Sequence, residues 1–437
     1  MFLNRIDYLN MAHDTSKQLR NMVMYSVYVR NHSDEGTFQA IEKDLDRIQA
    51  LGVDIIWLLP IHPIGEAKRK GVLGSPYAIK DYREINPELG TLEDFKSLVD
   101  AIHARSMKCI IDVVYNHTSP DSWLVQNYPE WFYKTVSGSF GNKVGEWLDV
   151  IDLDFTQPAL WDYLIDTLKM WAGIVDGFRC DVAPLIPLEF WNRARSEVAE
   201  IRPGCIWLAE SVEPGFTVDN RARGMVSLSD SEIYQAFDVS YEYDIYADFI
   251  DYLEGKTSLE TYVKTINMQE HIYPDNYVKL RFLENHDRPR GKFIIHDETS
   301  LRNWTAFIYF QKGMTLLYAG QEKENVFRPS LFDKDTVDWN TGVDLSGFLS
   351  VLYKIKKNTL LTDSSYRVST PGNDVIVAYH TGEGKKLIGV FSMAGKPSLV
   401  RIDAPEGIYT NLVDKSEVRI EGGLFTCKGN PIIIEAV

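Results

Sequence analysis

Charged side chains follow several apolar runs in this sequence, and their types suit acid–base chemistry. The run at 175–181 indicates a buried strand, and because side chains alternate along a strand, Arg179 and Asp181 point to the same face. Burying opposite charges costs free energy unless they serve each other or a ligand. Taken by itself, this run fits a structural ion pair as well as an active site.

Other apolar runs are also followed by charged or polar residues. Three carboxylates from three runs, with an arginine and two histidines, match the needs of glycosidic-bond cleavage. In that reaction one carboxylate attacks the anomeric carbon, another protonates the leaving oxygen, and further negative charge stabilises an oxocarbenium-like transition state. Besides Arg179 and Asp181, the polar residues at these ends are Asp112, Asn116, His117, Glu210, Glu284, His286 and Asp287.

The elements that must position these residues alternate between strand and helix patterns. Apolar residues at helical spacing, such as Phe38, Ile41 and Leu45, separate the apolar runs, and Thr91 with Asp94 forms a capping box before another helix. We therefore predict an α/β fold, a closed parallel (β/α)8 TIM barrel, in which all strand ends face one mouth. The predicted strands are residues 22–30, 53–59, 108–114, 175–181, 205–210, 237–240, 277–283 and 314–318.

Two segments interrupt this alternation. The predicted barrel occupies residues 1–117 and 151–364, with a short inserted domain at 118–150 after the third strand. From residue 365 the pattern changes to short strands between turn residues, which predicts a C-terminal all-β sandwich over 365–437. We interpret most aromatic residues of the insertion as a small core rather than a sugar platform, because large rings usually bury their area. They are Trp123, Tyr128, Trp131, Phe132, Tyr133, Phe140 and Trp147.

The overall charge limits the partners. The 437 residues include 46 Lys and Arg against 62 Asp and Glu, which gives a formal net charge of −16. Such a surface repels phosphate backbones and anionic lipid, so we expect neither a nucleic-acid nor a membrane partner. The opening residues lack the order of a signal peptide, and the four cysteines are widely spaced, which favours reduced thiols and a cytoplasmic location. A chain from which a signal had been removed would instead be secreted.

The motifs at the strand ends resemble the signatures of the α-amylase family of glycoside hydrolases, and the resemblance extends over nearly the whole chain. Four of them match in order: Asp-Val-Val-Tyr-Asn-His at 112–117, Gly-Phe-Arg-Cys-Asp at 177–181, Trp-Leu-Ala-Glu-Ser at 207–211 and Phe-Leu-Glu-Asn-His-Asp at 282–287. The stretches at 74–77 and 313–322 resemble the segments that follow the second strand and form the eighth strand.

The resemblance implies a role for each matching residue. Asp181 matches the nucleophile, Glu210 the general acid/base and Asp287 the third carboxylate. It further implies that Arg179 orients Asp181 and keeps its pKa low, since a cation favours the charged form. The residues implied to contact the sugar at the cleavage point are Tyr77, which stacks beneath it, and His117 and His286, which bind its hydroxyls.

The implied activity is retaining hydrolysis of α-1,4-glucosidic bonds in starch-type glucans or malto-oligosaccharides, through a covalent intermediate on Asp181. One alternative is a transglycosylase that passes the glycosyl group to another sugar from the same site. A remote alternative is a non-catalytic, transporter-associated relative, which would carry broken carboxylates and a membrane span.

The chain departs from the family pattern after Asp181. Many amylases carry a Lys-His pair there that touches the leaving group, whereas this chain has Val-Ala-Pro-Leu at 182–185, so leaving-group preference is not implied. The chemistry requires no cofactor. A structural calcium ion stays an open expectation, because Asn116 and Asp152 match two ligand positions of the family and supply the oxygen ligands that calcium prefers.

Overall fold

Eight parallel strands close into a barrel in the computed structural model, which describes residue 12 and residues 14–436. Neighbours around the barrel follow chain order, and the first strand pairs with the last. The predicted (β/α)8 barrel is confirmed, although its predicted first residues lie outside the described part. The barrel strands are β1 (Val23–Val27), β2 (Ile55–Leu58) and β3 (Lys108–Val113), then, after a short antiparallel pair of β4 (His117–Thr118) and β5 (Ile151–Asp152), β6 (Gly177–Cys180), β7 (Ile206–Ala209), β8 (Val239–Tyr241), β9 (Val278–Arg281) and β10 (Met314–Tyr318).

Helices cover the barrel and connect its strands. Their bounds are α1 (Val29–His32), α2 (Phe38–Ala50), α3 (Leu92–Ala104), α4 (Trp123–Asn127), α5 (Pro158–Ala172), α6 (Leu188–Ala199), α7 (Pro214–Ala222), α8 (Asp230–Ile233), α9 (Tyr243–Leu253), α10 (Leu259–Ile272), α11 (Gly291–Ile294), α12 (Glu298–Phe310) and α13 (Ser346–Lys356). At the start of α3, Thr91 and Asp94 form the expected capping box, which satisfies backbone N–H groups that would otherwise lack partners.

Seven of the eight predicted strands differ from the observed ones by one to three residues at an end, and the strand at 314–318 matches at both ends. The run at 22–30 stops being a strand at Val27 and becomes the helical turn α1, where Arg30 donates two 2.8 Å hydrogen bonds to the carboxylate of Glu88. The run at 237–240 starts as a strand only at Val239, and the side chain of Asp238 accepts the Trp207 N–H at 2.9 Å. Arg30 and Asp238 thus each make a long-range polar contact that local hydrophobicity does not show.

The C-terminal sandwich is also confirmed. Its four-stranded sheet consists, in spatial order, of the strands at 365–372, 375–382, 385–392 and 432–436, and its side chains alternate between two cores. Ile376 and Ala378 pack into the barrel core, whereas Val375 and Val377 face a second core built with the remaining strands. The eight strands are β11 (Ser365–Gly372), β12 (Val375–Gly382), β13 (Lys385–Ser392), β14 (Ser398–Arg401), β15 (Gly407–Thr410), β16 (Glu417–Ile420), β17 (Leu424–Cys427) and β18 (Ile432–Ala436).

The aromatic rings of the insertion after β3 form only a small core, because Trp123 and Phe140 are exposed. Tyr128 stacks on Trp131 with ring centroids 4.0 Å apart, and Trp131 and Phe132 are buried. Trp147 differs, because its ring centroid lies 5.5 Å from that of His117.

All four cysteines are free and buried, as expected. Among the described residues, every helix is too short or too polar to cross a membrane.

Candidate active site

One guanidinium group lies at the centre of the barrel mouth. Arg179, at the end of β6, is fully buried, and its Nη1 donates to Asp112 Oδ1 and to Asp181 Oδ1, each at 2.8 Å. Its Nη2 lies 2.9 Å from Glu210 Oε2, close enough for an ion pair but without hydrogen-bond alignment. A single cation therefore contacts three carboxylates from three different strands.

The strand register produces this arrangement. Arg179 pairs with Asp112 of β3 on one side and with Leu208 of β7 on the other, so the carboxyl ends of three neighbouring strands coincide. Rings at the ends of other strands and loops then surround the guanidinium and exclude water from it. They are Trp57, Tyr77 and Tyr241, whose centroids lie 5.3, 5.5 and 5.6 Å from the guanidinium carbon.

Burial raises the pKa values of two of these carboxyl groups. The pKa of Glu210 rises to about 8, chiefly through burial and also through the negative charges of Asp181 and Asp287, which together outweigh Arg179. Burial likewise raises the pKa of Asp181 to about 6, with Asp112 adding to the shift and Arg179 opposing it. The expectation that Arg179 keeps the pKa of Asp181 low was wrong, because loss of water costs the carboxylate more than the cation returns.

The third carboxylate lies in a different environment. Asp287 follows β9 and still exposes 42% of its side chain, with Oδ2 3.0 Å from His286 Nε2. Burial opposes its ionisation, but His286 and Arg179 outweigh burial and lower the pKa of Asp287, a shift that solvent screening moderates. The side-chain Oδ1 of Asn285 accepts the backbone N–H of Asp287 at 2.8 Å, which fixes the turn that presents the carboxylate.

The remaining candidates lie around the same mouth. Tyr77 stacks on His286 with ring centroids 5.6 Å apart, and its hydroxyl contacts His286 Nε2 at 2.7 Å and donates to Asp112 at 3.1 Å. His117 Nε2 lies 3.9 Å from Asp181 Oδ2, and burial lowers the pKa of His117. The structure thus brings together every residue for which the sequence suggested a catalytic or sugar-binding role, while the roles themselves stay predictions.

One strand-end residue does not belong to this group. Glu284 accepts from Arg290 Nη1 at 2.7 Å and from the Gly291 N–H at 2.6 Å, so its carboxylate is fully paired away from Arg179. Conversely, sequence reasoning gave no role to Asp112, although its place at the end of an apolar strand was visible. The rings of Trp57 and Tyr241 also end strands and could have been noticed.

The side chains of the two expected calcium ligands, Asn116 and Asp152, make hydrogen bonds within the protein. Asn116 turns its amide nitrogen towards Asp152 Oδ1, 3.5 Å away, and the other oxygen of Asp152 accepts the Lys143 N–H at 2.7 Å. Within residues 14–436, no group of three or more His, Cys, Asp or Glu side chains gathers as a metal site. Hydrogen-bond donors directed at the carboxylate are the opposite of what a calcium ion with six to eight oxygen ligands needs.

Two family models match this chain. The model described as "Alpha amylase, catalytic domain" matches residues 14–142 and 125–358. The model described as "Bacterial Alpha amylase C-terminal domain" matches residues 367–434. Together they account for both the barrel and the sandwich.

Solved structures and curated relatives are also similar. An α-amylase from Lactobacillus plantarum has a TM-score of 0.95 and 46% identity, covering 97% of this chain and 100% of that one. A noncanonic maltogenic α-amylase, AmyB, from Thermotoga neapolitana has a TM-score of 0.85 and 32% identity, covering 96% of this chain and 99% of that one.

The α-amylase MalA of Haloarcula japonica is 27% identical over 417 residues, which are 90% of this chain and 58% of that protein. An α-1,4-glucan:maltose-1-phosphate maltosyltransferase of Salinibacter ruber is 28% identical over 403 residues, 83% and 57%. This chain thus spans just over half the length of these two curated relatives.

Proposed function

We infer the function from one premise: the chain belongs to the α-amylase family. The chain is accordingly an α-amylase-like glycoside hydrolase or transferase. Within that range we propose a retaining hydrolase that cleaves α-1,4-glucosidic bonds of starch-type glucans or malto-oligosaccharides. The observation that carries the proposal is that Asp181 and Glu210 meet at one guanidinium with their pKa values at about 6 and about 8.

Near neutral pH these two groups suit different steps. Ionised Asp181 attacks the anomeric carbon, while Glu210 gives its proton to the departing oxygen, so that a glycosyl ester forms on Asp181 and one sugar chain leaves. Glu210, now ionised, takes a proton from a water molecule, whose oxygen attacks the anomeric carbon; the bond from that carbon to Asp181 breaks, and Asp181 is restored as a carboxylate. Contact with a common cation favours the close spacing, about 5–5.5 Å, at which one carboxylate attacks directly.

The groups on the opposite side of the mouth suit sugar binding. Asp287 and His286 offer a carboxylate and an imidazole to the hydroxyls of the sugar being cleaved, and Tyr77 offers a ring face beneath it. Lowering of the pKa keeps Asp287 negative, as the oxocarbenium-like transition state requires. None of these steps needs a cofactor.

Water is the acceptor we propose, because the leaving-group side has few polar side chains. The residues that follow Asp181 are Val-Ala-Pro-Leu at 182–185, whose side chains offer no hydrogen bonds to an acceptor sugar. Transfer to a sugar is the second candidate, supported by the similarity to a maltosyltransferase.

Incubation of one purified malto-oligosaccharide at low concentration separates the two candidates. For the hydrolase we expect reducing ends to rise in step with shorter products, and fresh products to appear first as the α-anomer by proton NMR. Longer chains that appear early without new reducing ends would make the enzyme a transferase, and initial β-anomer would contradict retention.

A further inference from the structure

The residue between the candidate nucleophile and the following turn has an unusual backbone. Val182 has φ +36° and ψ +43°, in the left-handed region that a β-branched residue rarely adopts. Neighbouring contacts hold the turn in place: the indole of Trp191 donates to Ala183 O at 3.1 Å, and the Leu228 N–H donates to Pro184 O at 2.9 Å. The unfavourable conformation is therefore imposed from outside, as is common where a backbone group is aimed at a function.

This conformation directs the backbone N–H of Val182 towards Glu210, and the N–H donates to Oε2 at 2.8 Å. Arg179 Nη2 lies 2.9 Å from the same oxygen. The hydrogen-bond donor and the positive charge both stabilise an Oε2 that carries only lone pairs. A proton on Oε2 would be repelled by the Val182 N–H and by the guanidinium of Arg179. That leaves Oε1 to carry the proton of the neutral carboxyl group.

We propose that Val182 is a positioning residue whose backbone N–H confines the acid proton of Glu210 to Oε1 and receives the charge that Glu210 develops. The proposal rests on the proposed function of Glu210 as general acid. When the glycosidic bond breaks, the Oε1–H bond breaks with it, the proton forms a new O–H bond on the leaving sugar, and its electron pair stays on the carboxylate. The Val182 N–H stabilises this carboxylate at Oε2.

The direct test replaces the N–H of residue 182 by oxygen, using the α-hydroxy acid counterpart of valine, which keeps the side chain. Loss of a hydrogen bond to a developing charge should lower kcat on malto-oligosaccharides about 10- to 100-fold. It should also move the basic limb of the pH profile up by about one unit, because ionised Glu210 loses a donor. An α-glucosyl fluoride, whose leaving group needs no proton, should react at a nearly unchanged rate.

The matched control places the same replacement at Leu185, whose N–H donates to Val182 O at 2.9 Å within the same turn and does not contact Glu210. Equal losses on both substrates, or a pH profile like that of the Leu185 control, would overturn the proposal. If the replacement at 182 does not fold, neutron diffraction from crystals of the parent enzyme is the second measurement, and we expect it to place the acid proton of Glu210 on Oε1. A proton on Oε2 would also overturn the proposal. Failure of Glu210 itself as the acid is distinguishable, because Glu210→Gln would then be equally inactive on the fluoride.

Discussion

The two sides of the barrel mouth treat their carboxylates in opposite ways. At the ends of β6 and β7, Asp181 and Glu210 expose only 9% and 11% of their side chains and share the buried guanidinium of Arg179. After β9, Asp287 exposes 42% of its side chain and has His286 as its neighbour. All three residues are acids within one constellation, yet burial raises two of their pKa values, while neighbouring positive charge lowers the third.

This difference teaches that the balance between burial and neighbouring charge assigns proton-transfer roles here, because burial opposes ionisation of all three carboxylates and positive charge outweighs it only at Asp287. Arg179 contacts both buried carboxylates and still does not keep their pKa values low, because desolvation penalises their charged forms more strongly. The side around Glu210 can therefore supply a neutral acid at neutral pH, and the side where His286 neighbours Asp287 supplies a negative charge.

The largest effect is expected on removing the nucleophile from the buried side. Asp181→Ala should lower kcat by roughly 10⁴- to 10⁶-fold, because no covalent intermediate can form, and partial catalysis by the remaining groups should survive. Arg179 would keep Asp112 and Glu210 as partners, so the fold should persist. Steady-state rates together with a thermal melt check this, and a variant within tenfold of the parent rate would contradict the assignment.

Next in size is loss of the acid. Glu210→Gln should slow malto-oligosaccharide cleavage about 10²- to 10⁴-fold, whereas substrates with fluoride or activated aryl leaving groups should be partly rescued. Glu284→Gln is a matched control, since Glu284 is equally buried but is paired with Arg290 away from the cluster. The control should lower the melting temperature and show no dependence on the leaving group. If Glu284→Gln depended on the leaving group in the same way as Glu210→Gln, the assignment of Glu210 as the acid would be contradicted.

A smaller effect is expected from pH. The rate kcat/KM should be highest between about 6 and about 8, falling as pH drops through the lower value, where Asp181 gains a proton, and as pH rises through the upper value, where Glu210 loses one. Each limb should approach a tenfold change in kcat/KM per pH unit. Because Asp181 and Glu210 titrate together, the two apparent pKa values describe the pair of carboxyl groups. A profile flat to pH 10 would show that no neutral acid is needed.

The smallest effect is expected from chelation. Because the oxygens of Asp152 already accept hydrogen bonds from Asn116 and Lys143, we expect the melting temperature in chelator to match that in added calcium. Differential scanning calorimetry with and without calcium is the measurement. A melting temperature that falls in chelator and recovers with calcium would show that these residues rearrange around an ion.

Much of the fold could be predicted from sequence because its signals are local. Apolar runs and helical spacing are properties of neighbouring residues, and the Thr91–Asp94 capping box spans a single turn. Convergence of Asp181, Glu210 and Asp287 at one mouth followed from the barrel itself, since parallel strands end on the same face.

What the sequence did not supply depends on contacts through space. Packing after the strand ends decides whether Glu284 joins the cluster or pairs with Arg290. Glu284 lies within the motif at 282–287, and Arg290 follows that motif. The pKa of Asp181 depends on how completely rings such as Trp57 exclude water, which no local pattern encodes. The aim of the Val182 N–H depends on backbone angles imposed by other segments.

Closure of the barrel has a consequence for how the chain is made. β1 pairs with β10, and Ser26 Oγ donates to Leu317 O across a separation of 291 residues. A ribosome that adds about 5–20 residues per second needs roughly 15–60 s to cover that distance. During this interval Asp181 and Glu210 have already emerged, but the sheet still has two open edges that can pair with other chains. Until its eighth barrel strand appears, the nascent protein therefore exposes the backbone edge of β1 that β10 later covers.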